Sequence, residues 1–245
     1  MLKLLKLTAS GMLILLVLPS ALWVSGWHWQ PGAGRGLLAV LFAATETVTR
    51  PWGILTTLIL AAVLLWQLRP YQSGVKSPLL TLLWVVAVVW GGQGINALIK
   101  NQVREARPYV AWLYPSSPSE IAGFYRLSPE QRSRQVYSAT AGDALLPGWL
   151  KQHWAFETGY SFPSGHSMFA ACWALLNLVL LWPRRYYKTV IATFIWALLV
   201  IWSRMALGMH WPWDVIMSVV NAGGIVILVS VPAYLLLSAS GRDME

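Results

Sequence analysis

Six long apolar stretches dominate this chain, at about 7–27, 52–68, 78–99, 164–182, 189–207 and 212–237. Hydrocarbon satisfies no backbone N–H or C=O, so each stretch has to close its own hydrogen bonds as a helix of roughly 20 residues. That requirement leaves one fold class: an all-α integral membrane protein with six transmembrane helices, forming a single domain over 1–245. Composition agrees, because 57% of residues are hydrophobic and 11% charged, where a soluble domain carries about 25% charged residues. Lys3 and Lys6 precede the first stretch as in a signal peptide, but its length makes it an uncleaved helix, bent near Pro19. Residues 28–34 read as a turn-rich loop, 36–49 as an interfacial helix too short to span, and 70–77 as a short loop. Gly91, Gly92 and Gly94 in the third stretch permit close helix contact. The lone Cys172 lies inside a span, so it forms no intrachain disulfide.

The net charge of +9 does not point to nucleic acid, since the basic residues form short clusters beside apolar runs and no continuous solvated face. Lys3, Lys6, Arg69, Lys76, Arg184, Arg185, Lys188 and Arg242 all fall on one side of the six spans. The positive-inside rule makes that side cytoplasmic, with both termini there. The polar insertion at about 100–162 then faces outside, which in a bacterial inner membrane is the periplasm. It carries five prolines between Pro108 and Pro147, and a loop this long without its own fold is usually functional. His28 and His153 fall in loops and read as solvated.

Three polar islands lie at helix ends on this outer face. The first runs from Lys100 to Arg107-Pro108, whose two cations are seven residues apart, so that two helical turns bring them to one side. Alone, it reads as snorkelling side chains. The second is Pro163-Ser164-Gly165-His166, at the mouth of the fourth span, where unpaired amides and the helix dipole suit an anion. Alone, Ser-Gly there is only a cap. The third joins Ser203-Arg204 to His210-Trp211-Pro212-Trp213-Asp214, with Pro212 in the first turn of the sixth helix and the Asp214 carboxylate able to reach back to His210. Arg, His and Asp together at membrane helix ends are costly, and indicate function.

The residue types dictate a chemistry. Lys100, Arg107 and Arg204, with the amides of the Ser164-Gly165 turn, form a cage for a phosphoryl group and its developing charge. A carboxylate beside an imidazole fixes its tautomer and stabilises its positive charge. His210 has Asp214 for that purpose and is the nucleophile, which leaves His166 as the general acid on the leaving oxygen. No acidic cluster offers itself to Mg²⁺. Zinc on His166, His210 and Asp214 would be repelled by the three adjacent cations, so no metal is expected.

Lys100-x6-Arg107-Pro108, Pro163-Ser164-Gly165-His166 and Ser203-Arg204-x5-His210-x3-Asp214 together resemble the three signature motifs of the type 2 phosphatidic acid phosphatase (PAP2) superfamily. Residues 23–32, Thr45-Glu46-Thr47-Val48 with Pro51-Trp52-Gly53, and Glu157-Thr158-Gly159 are similar to its bacterial members that act on phosphatidylglycerophosphate and undecaprenyl pyrophosphate. The resemblance implies a PAP2-type helical core and a lipid phosphatase working through a phosphohistidine on His210. It also implies His166 as acid, no cofactor, and phosphate held by Lys100, Arg107, Ser164, Gly165, His166 and Arg204. The implied partners are lipid phosphate substrates and membrane lipids, with no nucleic acid and no obligate protein partner. A phosphotransferase to another lipid acceptor would use the same site. A non-catalytic transporter or scaffold would have no use for the complete His–Asp and cation set.

Overall fold

Lipid solvates apolar side chains as well as a protein interior does, so helices in a membrane associate through shape and polar contacts. The computed structural model describes residues 1–32, 35–72, 76–115 and 117–239; parts of the 28–34 and 70–77 loops, and Arg242, lie outside the described residues. Among the described residues, six helices are long and apolar enough to cross a membrane. They are α1 (Leu2–Val24), α3 (Trp52–Leu68), α4 (Lys76–Val103), α9 (Gly165–Leu181), α10 (Tyr187–Ala206) and α11 (Pro212–Ala239). The short α2 (Arg35–Glu46) is the expected non-spanning helix.

α9 is the axis of the bundle. It packs against α1, α4, α10 and α11, and 78% of its membrane segment is buried, against 17% for α3. Gly92 of α4 admits this contact, since a Cβ there would meet Met168 Cε at 3.2 Å and Cys172 Sγ at 3.4 Å. Gly91 and Gly94 face open space. Polar side chains tie the inner helices together: Asn177 Nδ2 donates to Thr193 Oγ1 (3.1 Å), and Gln67 Nε2 to Thr189 Oγ1 (2.6 Å). Leu55, Leu58, Leu80 and Leu83, by contrast, are exposed on α3 and α4, where lipid would lie.

The 100–162 insertion is not a loop without its own structure. It folds into α5 (Pro108–Leu113), α6 (Pro118–Arg126), α7 (Pro129–Thr140) and α8 (Gly148–Phe156). Prolines open the first three of these helices, where the missing N–H costs nothing. A second apolar cluster of Trp29, Tyr109, Phe124, Val136, Leu150 and Trp154 packs them onto Leu207 and Met209, just beyond α10. Two indoles complete that junction by satisfying carbonyls at the end of α10: Trp29 Nε1 bonds Ala206 O (2.9 Å) and Trp154 Nε1 bonds Leu207 O (2.8 Å).

α10 itself ends in a Schellman turn, with Met209 N on Arg204 O (3.1 Å) and Gly208 N on Met205 O (3.0 Å). Gly208 takes the left-handed φ of +70° that this turn requires, and a Cβ on it would lie 2.7 Å from Trp29 Cε2. Gly208→Ala is therefore expected to destabilise the protein by about 1–2 kcal/mol from handedness alone, with more from the clash. The measurement is thermal unfolding in detergent, and an unchanged midpoint would contradict this account of the turn.

Candidate active site

The Schellman turn delivers His210 directly after α10, and Pro212 starts α11 so that Asp214 falls in its first turn. Asp214 Oδ2 accepts from Trp211 N (2.9 Å), lies 3.3 Å from His210 Nδ1, and also accepts a short hydrogen bond from Ser161 Oγ. The carboxylate therefore caps α11 and orients the ring at once. Arg107 NH1 lies 3.5 Å from His210 Nε2. Guanidinium is a donor only, so Nε2 must turn a lone pair towards it. Burial first, then Arg107, Arg204 and Lys100, push the His210 pKa well below its ordinary value, leaving the imidazole neutral.

His166 sits in the first turn of α9 with the opposite polarity. Its Nε2 lies 3.1 Å from Thr49 Oγ1 and 3.3 Å from Glu157 Oε1. An ionised carboxylate only accepts, so this nitrogen carries the hydrogen. Ser164 spends its hydroxyl on the cap, accepting from Ser167 N (3.3 Å), and its amide faces Asp214 O (3.4 Å). The free donors at this helix mouth are thus the amides of Gly165 and His166, which meet no acceptor among the described residues. α4 clasps the segment from behind: Gln93 Nε2 donates to Gly165 O (3.0 Å) and Asn96 Nδ2 to Pro163 O (3.4 Å). A Cβ on Gly165 would crowd Gln93 Oε1 at 3.3 Å.

The guanidiniums of Arg107 and Arg204 converge on one carboxylate, that of Glu157. Arg204 NH2 bonds Glu157 Oε2 at 2.6 Å and Arg107 NH1 lies 3.6 Å from it. Arg107 is aimed by bonds from Nε to Gly159 O (2.7 Å) and from NH1 to Met209 O (3.2 Å). Arg204 is aimed by NH1 bonds to Thr45 Oγ1 (2.6 Å) and His153 Nε2 (3.2 Å). Burial pushes the Glu157 carboxyl up, but Arg204, His166, His153 and Arg107 together hold it well below the usual carboxylate range. An anion already lies between both arginines and His166, where the sequence places a phosphoryl group. Lys100, half-buried at the end of α4, feels the charges of Arg107, Glu157, Arg204 and Asp214. Side-chain exposure rises from 0% at Arg204 and 1% at His210 to 14% at Glu157 and 16% at His166. A ligand therefore reaches this cluster from the His166 side.

All eight singled-out residues thus belong to one cluster, but two expectations need correcting. Lys100 and Arg107 do not share a helix: α4 stops at Val103, Arg104 reverses the chain at a φ of +54°, and Arg107 caps α5. His153 is not solvated either; it is 4% exposed within α8, between Arg204 and the Glu46 carboxylate (3.2 Å from Nδ1). Sequence reasoning also missed roles for Glu157, Ser161, Thr45, Thr49, Gln93 and Asn96. Charge balance was the available signal for Glu157. Three cations at low dielectric demand more than Asp214 alone, and Glu157 is the acid nearest in sequence to His166.

A family model described as the PAP2 superfamily matches residues 78–235. Phosphatidylglycerophosphatase B of Escherichia coli K12 is 43% identical over 219 residues, covering 89% of this chain and 85% of the relative. The Shigella flexneri protein of the same name matches equally, at 43%. That of Haemophilus influenzae is 29% identical over 219 residues, covering 86% of this chain and 88% of the relative.

If the Glu157 carboxylate occupies the position of a ligand anion, removing its charge frees two guanidiniums. Glu157→Gln is then expected to bind inorganic phosphate about tenfold more tightly, the scale of one charge-assisted hydrogen bond, as read by titration calorimetry in detergent. Weaker binding would mean that the carboxylate organises the cage instead of filling it.

Proposed function

The chain belongs to the PAP2 superfamily and is a membrane-embedded phosphoric-ester hydrolase, and on that premise we propose that it dephosphorylates lipid phosphates through a phosphohistidine on His210. The substrate class is phosphatidylglycerophosphate, undecaprenyl pyrophosphate and phosphatidic acid, entering sideways with their tails left in lipid. One observation carries the reading: the two imidazoles have opposite polarity at Nε2. His210 Nε2 faces a donor-only arginine and His166 Nε2 an acceptor-only carboxylate.

In the first step the His210 Nε2 lone pair attacks phosphorus, the bond to the leaving oxygen breaks, and His166, acting as an imidazolium beside Glu157, passes its Nε2 proton to that oxygen and is left neutral. Asp214 stabilises the positive ring that results. Arg107, Arg204, Lys100 and the Gly165 and His166 amides balance charge on the phosphoryl oxygens. In the second step water gives a proton to His166, restoring the imidazolium, and its hydroxide oxygen to phosphorus; the N–P bond breaks, and phosphate leaves with His210 neutral again. Charge balance comes from side chains and amides, so the scheme requires no metal. Among the described residues no group of three His, Cys, Asp or Glu is arranged to hold one.

The site faces the periplasm of a bacterial inner membrane in this reading. Arg69 and Arg184 follow the ends of α3 and α9 that point away from the site, and Lys3 and Lys6 open α1. These short basic segments favour the cytoplasm, which leaves α5–α8 outside.

Two measurements test the proposal. His210→Ala is expected to abolish turnover and any acid-labile phosphoenzyme. His166→Ala is expected to lose about 10²–10⁴-fold on lipid phosphates yet less on p-nitrophenyl phosphate, whose leaving group needs no proton. Free phosphate is assayed with chelator present; phosphoenzyme surviving in His210→Ala and vanishing in His166→Ala reverses the roles, and dependence on added metal ends the scheme. For topology, Ala139→Cys on the exposed face of α7, in a Cys172→Ser background, should react with an impermeant maleimide in intact spheroplasts. Labelling only after lysis would place the site in the cytoplasm.

A further inference from the structure

Beside the phosphate cage, and separated from it by a single layer of side chains, lies a cavity of about 250 Å³ between α2, the turn after it, and α8. Phe42 and Trp149 form its apolar wall, with ring centroids 4.6 Å apart. Thr49 and His153 are its inner wall, and each touches the catalytic cluster on its far side: Thr49 Oγ1 lies 3.1 Å from His166 Nε2, and His153 Nε2 lies 3.2 Å from Arg204 NH1. The two charged residues on the cavity are not equivalent. Glu46 is engaged, its Oε1 lying 3.2 Å from His153 Nδ1. Arg50 is exposed on the lining and makes no ion pair or side-chain hydrogen bond among the described residues.

In-line attack by His210 puts the leaving oxygen on the opposite side of phosphorus, where His166 protonates it. Whatever that oxygen is attached to therefore departs past His166 Nε2, and the next side chain there is Thr49, the wall of this cavity. A leaving group arriving along this line meets an unpaired guanidinium, a fork of donors suited to phosphate oxygens. We propose that the cavity is a second anion subsite, in which Arg50 binds a phosphate that stays on the leaving group. Glu46, tied to His153 at the inner wall, repels that phosphate from the floor and holds it at the Arg50 rim. The subsite rests on the lipid-phosphatase reading and narrows its substrate class to lipids whose leaving group is itself phosphorylated: a lipid diphosphate, or a phosphodiester lipid with a terminal phosphate. Phosphatidic acid, whose leaving group is uncharged, gains nothing from it.

The test compares specificity ratios, which cancel differences in folded fraction. Purified wild type, Arg50→Ala and Arg50→Lys are assayed on undecaprenyl pyrophosphate, phosphatidylglycerophosphate and phosphatidic acid in the same micelles. In Arg50→Ala, the kcat/KM ratio of either of the first two over phosphatidic acid should fall about tenfold, as expected for one charge-assisted hydrogen bond. Arg50→Lys, which keeps the charge and loses the fork, should fall between. Inorganic pyrophosphate and inorganic phosphate, titrated onto the same proteins, give a readout that needs no turnover, and Arg50→Ala should erase the preference for pyrophosphate. Ratios that do not move in either assay overturn the subsite. A wild type that hydrolyses none of the three lipids, yet still prefers pyrophosphate through Arg50, would overturn the lipid-phosphatase reading and leave the subsite standing.

Discussion

Arg204 carries a full positive charge with no exposed surface, and much of the end of the molecule that holds the site is arranged around that fact. An unpaired buried ion costs several kcal/mol, so its partners must be brought to it with good geometry. They come from two separate segments: Thr45 from α2, and His153 and Glu157 from α8 and the residue that follows it. Glu46 completes the set by engaging His153 from the opposite side. The interfacial helix and the insertion are therefore structural requirements of one guanidinium. That guanidinium in turn is rigid, because its carrier α10 is locked at its end by the Schellman turn and two indole caps.

The same cluster shows how charge is managed near lipid. Lys100, Arg107 and Arg204 would repel one another strongly at low dielectric. Glu157 and Asp214 divide the work of offsetting them: Glu157 faces the arginines and His166, while Asp214 sits behind His210 with Ser161. Because one carboxylate lies in front of its histidine and the other behind, the two rings present different faces to the same space. In the proposed scheme, the distinction between nucleophile and acid is thus a matter of which side of each ring an anion occupies.

Much of this was legible in the sequence, and the reason is physical. Hydrocarbon forbids open backbone, so six spans follow from apolar length, and their observed ends differ from the expected ones by only a few residues, as at Gly165–Leu181 and Tyr187–Ala206. His210 and Asp214 are four apart across a proline start, and local geometry alone brings them together. What stayed hidden depends on tertiary packing. α5–α8 are only 6 to 12 residues long, too short for sequence periodicity to announce them, and are held by a tryptophan-rich cluster. His153 and Glu157 are meaningful only once α8 is docked on that cluster. The Lys100–Arg107 spacing suggested a continuous helix, but a left-handed residue at Arg104 intervenes, and the two cations meet by a reversal of the chain.

The central position of α9 has a consequence for how the enzyme experiences its membrane. With the 3₁₀ turn that continues it, its membrane segment runs over 20 residues, about 30 Å, the thickness of a typical hydrocarbon core, and His166 stands at one end. A helix of that length facing lipid would have to tilt or shift whenever the bilayer became thinner or thicker. α9 instead meets other helices over most of its surface, while α1, α3 and α4 present their apolar faces outward. Changes in bilayer thickness are then absorbed by the tilt of that outer layer. The depth of His166 relative to Arg204 and His210 is set by contacts within protein, and catalytic geometry is insulated from the lipid composition in which the enzyme works.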